Sequence, residues 1–248
     1  KSIISPTTGL DHIDLVAVKR NKVKVYHLRG QKRFLKEVSG TAELTMAIML
    51  SLLRKIPQSF DAVKRGMWEP GPFRGNEVSK KKLGVVGCGR LGAKVSRVAI
   101  ALGMDVFAYD PYIYRFPAGV TQVDSLTELL STIDILTLHI PLLSETTHLI
   151  STKEIEKMKD EVVIINTSRG SIVSTQALLD GLKKGKIKSA AIDVMEDEHS
   201  IKESGHALID YANKYDNLLI TPHIGGATYE SVEKTDLFIL KKYFSEVE

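Results

Sequence analysis

Three side chains with complementary chemistry stand just past apolar runs: Arg169 after 162–165, Glu198 after 190–194, and His223 after 218–220. An arginine binds a carboxylate through two parallel hydrogen bonds. A histidine titrates near neutrality, so it can give or take the proton of a carbonyl or an alcohol. A glutamate beside it orients the ring and favours its protonated form. A fourth candidate, His139, ends the run 133–138. Taken singly, each has a plainer reading. Arg169 fits a surface ion pair, Glu198 fits one charge in the solvated acidic run 196–198, and His223 fits a cap at a strand end.

The stretch 83–110 makes a set of them. Leu83, Val85 and Val86 read as a short buried strand, Gly87, Gly89 and Gly92 fit G-x-G-x-x-G, and a helical pattern runs from 90 to 102. A second apolar run, 106–109, ends in Asp110, 21 residues past Gly89. In a dinucleotide site Gly87 allows the sharp turn, Gly89 the close approach of backbone to pyrophosphate, and Gly92 tight packing of helix on strand. The helix N-terminus, at Arg90 and Leu91, offers N–H groups and partial positive charge to the phosphates. Asp110 can accept hydrogen bonds from both ribose hydroxyls and would repel a 2′-phosphate, so NAD is expected rather than NADP. A glycine triplet alone also fits an ordinary turn. Strand, glycines, helix, second strand and acid in this order argue for the cofactor. Beside a nicotinamide, the arginine, glutamate and histidine fit interconversion of a 2-hydroxy acid and a 2-oxo acid.

The elements that position these residues follow from patterning. Residues 2–4 and 23–26 read as strands, 10–19 as a helix with Ile13, Val16 and Ala17 on one face, and 27–40 as polar and irregular. A long helix is expected from 41 to about 56, with Pro57 bending or ending it, and continuing to Gly66. Capping boxes at Ser125 and Ser151 start two further helices. Strands are expected at 133–138, 162–165, 190–194 and 218–220, with helices at 175–184 and 228–244. Strands alternating with helices from 83 to 223 predict an α/β, doubly wound parallel sheet, whose ligands sit outside the carboxyl ends of the strands. His139, Arg169, Glu198 and His223 are therefore expected to converge there.

Composition is that of an ordinary globular protein: 43% hydrophobic, 26% charged, net charge +4 over 248 residues. The lysines are scattered, which reads as a solvated surface and not a nucleic-acid patch. A mild positive field suits an anionic cofactor and substrate. The single cysteine, Cys88, fits a reducing compartment, and a cytoplasmic location is expected. Cys88 sits where a helix N-terminus can lower a thiol pKa, but a small side chain at a variable turn position is the simpler reading. No run approaches the ~20 apolar residues of a membrane span. Neither membrane, nucleic acid nor metal is expected as a partner. The chain opens on a strand-like run without Met, so a preceding segment is expected to be missing.

The motifs together resemble the D-isomer-specific 2-hydroxyacid dehydrogenases, phosphoglycerate dehydrogenase-like members included. They are Gly-Leu-Asp-His-Ile-Asp (9–14), Thr-Ala-Glu-Leu-Thr (41–45), the Gly87–Gly92 turn with Asp110, and His-Ile-Pro-Leu-Leu-Ser-Glu-Thr-Thr (139–147). Ile-Asn-Thr-Ser-Arg-Gly (165–170), Ala-Ile-Asp-Val (191–194) with Glu198, and Thr-Pro-His-Ile-Gly-Gly (221–226) complete them. The resemblance implies a Rossmann NAD domain at 41–223 and remnants of a second, flavodoxin-like substrate domain at 1–40 and 224–248. It implies Arg169, Glu198 and His223 as catalytic residues, with His223 rather than His139 as the proton donor. It implies NAD contacts from Thr8, Gly87, Gly89, Arg90, Leu91, Gly92, Asp110, Ile140, Thr167, Ser168, Asp193, His223, Gly225 and Gly226. Thr7, Thr8, Gly9 and Arg169 would bind the substrate carboxylate. A small anionic 2-hydroxy or 2-oxo acid is the implied substrate, 3-phosphoglycerate first among them, and a homodimer through the NAD domain is the implied assembly.

Two departures stand out. His199 replaces the proline common after the catalytic glutamate, which could shift the loop carrying Glu198. Arg29, Lys32 and Arg33 occupy a stretch that otherwise reads as a solvated loop, where they could meet a phosphate or a second carboxylate. An NAD-sensing, corepressor-like binding protein of the same fold is the alternative from another class.

Overall fold

The computed structural model describes residues 1–201 and 205–247; residue 248, the last of the expected segment 224–248, lies outside them. The chain forms two compact units, Lys1–Gly40 with Gly226–Glu248, and Thr41–Gly225.

The first unit opens with β1 (Ser2–Ile4), α1 (Leu15–Arg20), β2 (Lys24–Tyr26) and α2 (Lys32–Leu35). The two strands pair in parallel, Ser2 opposite Lys24 and Ile4 opposite Tyr26. The helix expected from residue 10 begins at Leu15, because the Asp14 carboxylate accepts from the N–H groups of Val16 (3.0 Å) and Ala17 (2.9 Å) and so caps it. Its expected apolar face is not buried, with Val16 77% exposed. The stretch expected to be irregular contains α2, whose Leu35 joins Tyr26, Leu28 and Ile239 in a small core. Phe34 stacks on Phe238 with ring centroids 4.0 Å apart. Two apolar residues after two cations carry too little periodicity to announce a one-turn helix.

The second unit begins with α3 (Gly40–Leu53) and α4 (Ile56–Lys64). Pro57 lies in the first turn of α4 and opens that helix; the break from α3 falls at Lys55, which has φ +52. There follow β3 (Lys82–Val86), α5 (Arg90–Ala101), β4 (Asp105–Tyr109), β5 (Val120–Gln122), α6 (Leu126–Thr132), β6 (Ile135–Leu138) and α7 (Thr152–Lys157). The unit ends with β7 (Val162–Asn166), α8 (Thr175–Lys183), β8 (Ile187–Ile192), α9 (Ala207–Ala212) and β9 (Leu218–Ile220). A last helix, α10 (Tyr229–Val247), returns to the first unit.

The seven strands form one parallel sheet in the order β5-β4-β3-β6-β7-β8-β9. The central strands are apolar on both sides because both faces are covered. Alternation along β7 sends Val162 and Ile164 to one face, against α6, α7 and α8, and Val163 and Ile165 to the other, against α3 and α5. The chain builds outward from β3 to β5, then crosses back to β6 and continues to β9. That reversal beside β3 opens a crevice at the carboxyl ends of β3 and β6, where open α/β sheets bind ligands.

Candidate active site

The glycine turn after β3 separates structural glycines from one that the protein itself does not require. Gly87 has φ +86, and an added Cβ would lie 2.6 Å from Ile140 Cγ2 and 2.7 Å from the His139 carbonyl oxygen. At Gly92 a Cβ would lie 2.1 Å from the Gly87 oxygen. At Gly89 a Cβ would meet nothing within 4 Å. The backbone there faces open space, at the start of a twelve-residue helix whose first N–H groups have no intrahelical acceptor. Asp110 is fixed beside it: Cys88 N–H donates to Oδ2 and Tyr112 N–H to Oδ1, each at 2.9 Å. Each carboxylate oxygen keeps acceptor capacity. An unobstructed backbone, a helix N-terminus and an oriented acid fit the pyrophosphate and ribose of a dinucleotide. Burial raises the Cys88 thiol pKa, so the small-side-chain reading of Cys88 stands and the reactive one does not.

Arg169, Glu198 and His223 all belong to the second unit. His223 follows β9 in the left-handed region, at φ +55. Its Nδ1 lies 2.5 Å from Glu198 Oε1. Met195 N–H donates to the other oxygen of Glu198 at 3.3 Å. The hydrogen bond that His223 Nδ1–H donates to the Glu198 carboxylate raises the His223 pKa, while burial and the positive charge of Arg169 oppose it. Burial works to raise Glu198, but its bond to His223 and the charge of that ring outweigh this and hold it below the usual carboxylate range. The imidazole is 46% exposed, so its far edge is open to a small molecule. His199, where the proline was expected, lies in a single 3₁₀ turn, Glu198–Ser200, from which Glu198 meets His223.

The supports of this trio are mostly buried polar groups. Asp193 is 1% exposed. Its Oδ1 accepts from Thr221 Oγ1 (2.6 Å) and Ile224 N–H (2.8 Å), and its Oδ2 from Gly225 N–H (2.8 Å). The carboxylate thus ties the end of β8 to the loop that carries His223. Asn166 shapes the Arg169 loop by donating from Nδ2 to the Arg169 carbonyl (2.9 Å) and accepting from Ser168 N–H (3.0 Å) and Oγ (2.7 Å). Thr45 gives its single hydroxyl proton to the Thr41 carbonyl, so Thr167 is the donor in the 2.7 Å bond between the two threonine hydroxyls. The Thr167 side chain is therefore turned toward α3. Leu91, in the first turn of α5, packs partly buried against the core between α3 and α5, and Ile140 packs against Gly87.

The His139 ring bonds Thr137 Oγ1 at 3.0 Å, and burial lowers its pKa to about 4, so it is neutral. Of the strand-end residues expected to converge, His223 and Glu198 pair directly and Arg169 acts on His223 by its charge, while His139 bonds Thr137.

Thr7, Thr8 and Gly9 belong to the first unit, as does Gly226. Thr7 Oγ1 donates to the Gly9 carbonyl (2.6 Å), so Ser5 Oγ must donate to Thr7 (2.8 Å) and His12 Nε2 to Ser5 (3.3 Å). This relay holds the loop in shape, and Thr8 is exposed at its tip.

Residues 46–225 match the family described as D-isomer specific 2-hydroxyacid dehydrogenase, NAD binding domain. The chain is 38% identical over 226 residues to a D-3-phosphoglycerate dehydrogenase of Methanocaldococcus jannaschii, covering 90% of this chain and 41% of that protein. It is 35% identical over 247 residues to a hydroxypyruvate reductase of Thermotoga maritima, covering all of this chain and 78% of that one. The chain therefore spans well under half the length of the first relative. A D-lactate dehydrogenase of Aquifex aeolicus, solved with NAD and lactic acid, superposes with a TM-score of 0.85 at 33% identity, over all of this chain and 76% of that one. Among the described residues no helix is long and apolar enough to cross a membrane.

Proposed function

The chain belongs to the D-isomer-specific 2-hydroxyacid dehydrogenase family by its NAD-binding domain, and from that premise we propose that it interconverts a D-2-hydroxy acid and its 2-oxo acid with NAD(H). The observation that carries the reading is the 2.5 Å pairing of His223 with Glu198, built on the same sheet as the Gly87–Gly92 turn. NAD, when bound, supplies or accepts the hydride. We assign its pyrophosphate to the turn with Arg90 and Leu91, its adenosine ribose to Asp110, and its nicotinamide half to Ile140, Thr167, Ser168, Asp193 and Gly225. Thr8 and Gly226 complete the set from the first unit.

Arg169 binds the substrate carboxylate with its guanidinium, assisted by the Thr7–Gly9 loop. Glu198 occupies Nδ1 of His223, which leaves Nε2 for the substrate oxygen. In reduction, protonated His223 donates from Nε2 to the carbonyl oxygen as it becomes a hydroxyl. In oxidation the neutral ring takes that proton back. Glu198 stays ionised throughout, orienting the ring and stabilising its cationic form.

Phosphohydroxypyruvate and 3-phosphoglycerate are the first pair to test, supported by the name of the M. jannaschii relative; hydroxypyruvate and pyruvate follow from the other two. We further propose that 1–40 and 224–248 form part of a substrate domain and that 41–223 is a dinucleotide domain. The exposed apolar residues Ile56, Phe60, Val63 and Trp68, on and after α4, support a homodimer through that domain. A lone buried thiol suits the cytoplasm. The test follows NADH absorbance in the full chain against a panel of 2-oxo acids. Consumption that depends on one acid supports the reading. NADH binding with no acid reduced would favour the cofactor-sensing protein.

A further inference from the structure

Two acidic residues flank Asp197 and face different partners. Asp197 lies in the left-handed region, at φ +53, so the chain reverses between Glu196 and Glu198. Glu198 meets His223. Glu196 Oε1 instead lies 2.5 Å from His148 Nε2, and its Oε2 accepts from Thr175 N–H at 3.3 Å. His206 donates from Nε2 to the Glu196 carbonyl at 3.0 Å, since its Nδ1 accepts from Leu208 N–H.

His148 is itself anchored. Its N–H donates to the Ser171 carbonyl at 2.7 Å, and its backbone has φ +51. Ser171 follows Arg169 by two residues, and Glu196 precedes Glu198 by two. His148 therefore joins the segment that carries Arg169 to the segment that carries Glu198. The two segments also touch by backbone: a Cβ added at Gly170 would lie 1.9 Å from the carbonyl carbon of Met195.

We propose that His148 and Glu196 are positioning residues, whose hydrogen bond fastens loop 195–198 to the Arg169 segment so that Glu198 is presented to His223. This rests on the dehydrogenase reading above. Glu198 is held from within its own loop by Met195 N–H at 3.3 Å, a long bond. The tether through Glu196 supplies a shorter link from outside that loop. The groups that set the charge of His223 are Glu198, Arg169 and Asp193, and His199 acts on Glu198; His148 faces Glu196 and reaches His223 only through the loop. The His148 side chain is 47% exposed, so its removal leaves no cavity and the variant should fold.

The test uses the full chain as wild type, His148→Ala, His148→Gln and Glu196→Ala. The His223 ring is titrated by histidine NMR, and 2-oxo acid reduction is followed against pH. In His148→Ala and Glu196→Ala the His223 midpoint should fall by about half a unit or more. The alkaline limb of the rate should move down with it, and kcat should fall about 3- to 10-fold with KM for NADH unchanged. His148→Gln, whose amide can still donate to Glu196, should recover most of both. An unmoved His223 midpoint in His148→Ala, even with a lower Tm, overturns the inference and leaves the pair a purely structural one. If the wild type reduces no acid, the dehydrogenase reading fails, and the NMR midpoint still decides whether His148 positions Glu198.

Discussion

Nδ1 of His223 stands 2.5 Å from Oε1 of Glu198, and the two residues arrive from different places, His223 just after β9 and Glu198 in the loop after β8. The relationship holds a proton on the ring above the pH at which a free imidazole loses it.

The first consequence is a pH profile. Reduction needs the protonated ring, so its rate should be level at low pH and fall as pH rises through the raised pKa of His223. Oxidation needs the neutral ring and should rise through the same value. Glu198→Gln removes the charge and should move both limbs to lower pH by roughly one unit. Folding follows the same sign. The stability contributed by the raised His223 is fully present below the unfolded pKa and lost as pH rises through the folded one. Rate profiles in both directions, with thermal melts across pH 5–9, check this.

Asp110 should set cofactor choice. Asp110→Ala removes the acceptor for the ribose hydroxyls and the negative charge that repels a 2′-phosphate. The affinity ratio of NADH to NADPH should fall about 10- to 100-fold, in line with hydrogen bonds to a charged group worth ~1.5–3 kcal/mol. Fluorescence titration with each cofactor measures it.

The glycines should separate by role. Gly89→Ala meets no protein atom and should leave the unfolding free energy within about 1 kcal/mol of wild type, yet weaken NADH binding. Gly92→Ala and Gly170→Ala, whose Cβ atoms would lie 2.1 and 1.9 Å from backbone atoms, should each cost about 1–3 kcal/mol or more. Urea unfolding of the three variants, alongside NADH titration, distinguishes a glycine kept for ligand approach from glycines kept for packing.

Asp193 should matter for both fold and rate. Asp193→Ala strips the partner from Thr221 Oγ1, Ile224 N–H and Gly225 N–H, and the loop bearing His223 loses its tie to β8. A loss of about 3 kcal/mol or more in stability is expected, with kcat falling more than KM rises. Equilibrium unfolding and steady-state kinetics on one preparation test the pair of effects.

The alternating strands and helices from 83 to 223 were legible because continuous apolar runs end in glycines, caps and polar residues. The Ser151 capping box forms reciprocally with Glu154. At Ser125 only the serine half forms as expected: its hydroxyl accepts from Glu128 N–H at 3.1 Å, but the Glu128 carboxylate takes the N–H of Asp124, also at 3.1 Å. β5 leaves no mark in the sequence because a three-residue edge strand with two exposed positions has no apolar run. The link from His148 to Glu196 was invisible for another reason. It joins loops 48 residues apart, and neither residue differs in type from an ordinary solvated one. The resemblance marks Asp193 only as a cofactor contact; nothing in its sequence neighbourhood shows that its oxygens accept three hydrogen bonds from the His223 loop.

The most direct test compares wild type with His223→Ala, measuring NADH binding by fluorescence and reduction of the preferred 2-oxo acid on the same samples. Loss of general acid catalysis should lower kcat about 10²- to 10⁴-fold while NADH affinity stays within a few-fold of wild type. Turnover in His223→Ala close to that of wild type would contradict the account, because the proton would then come from a group other than the one paired with Glu198.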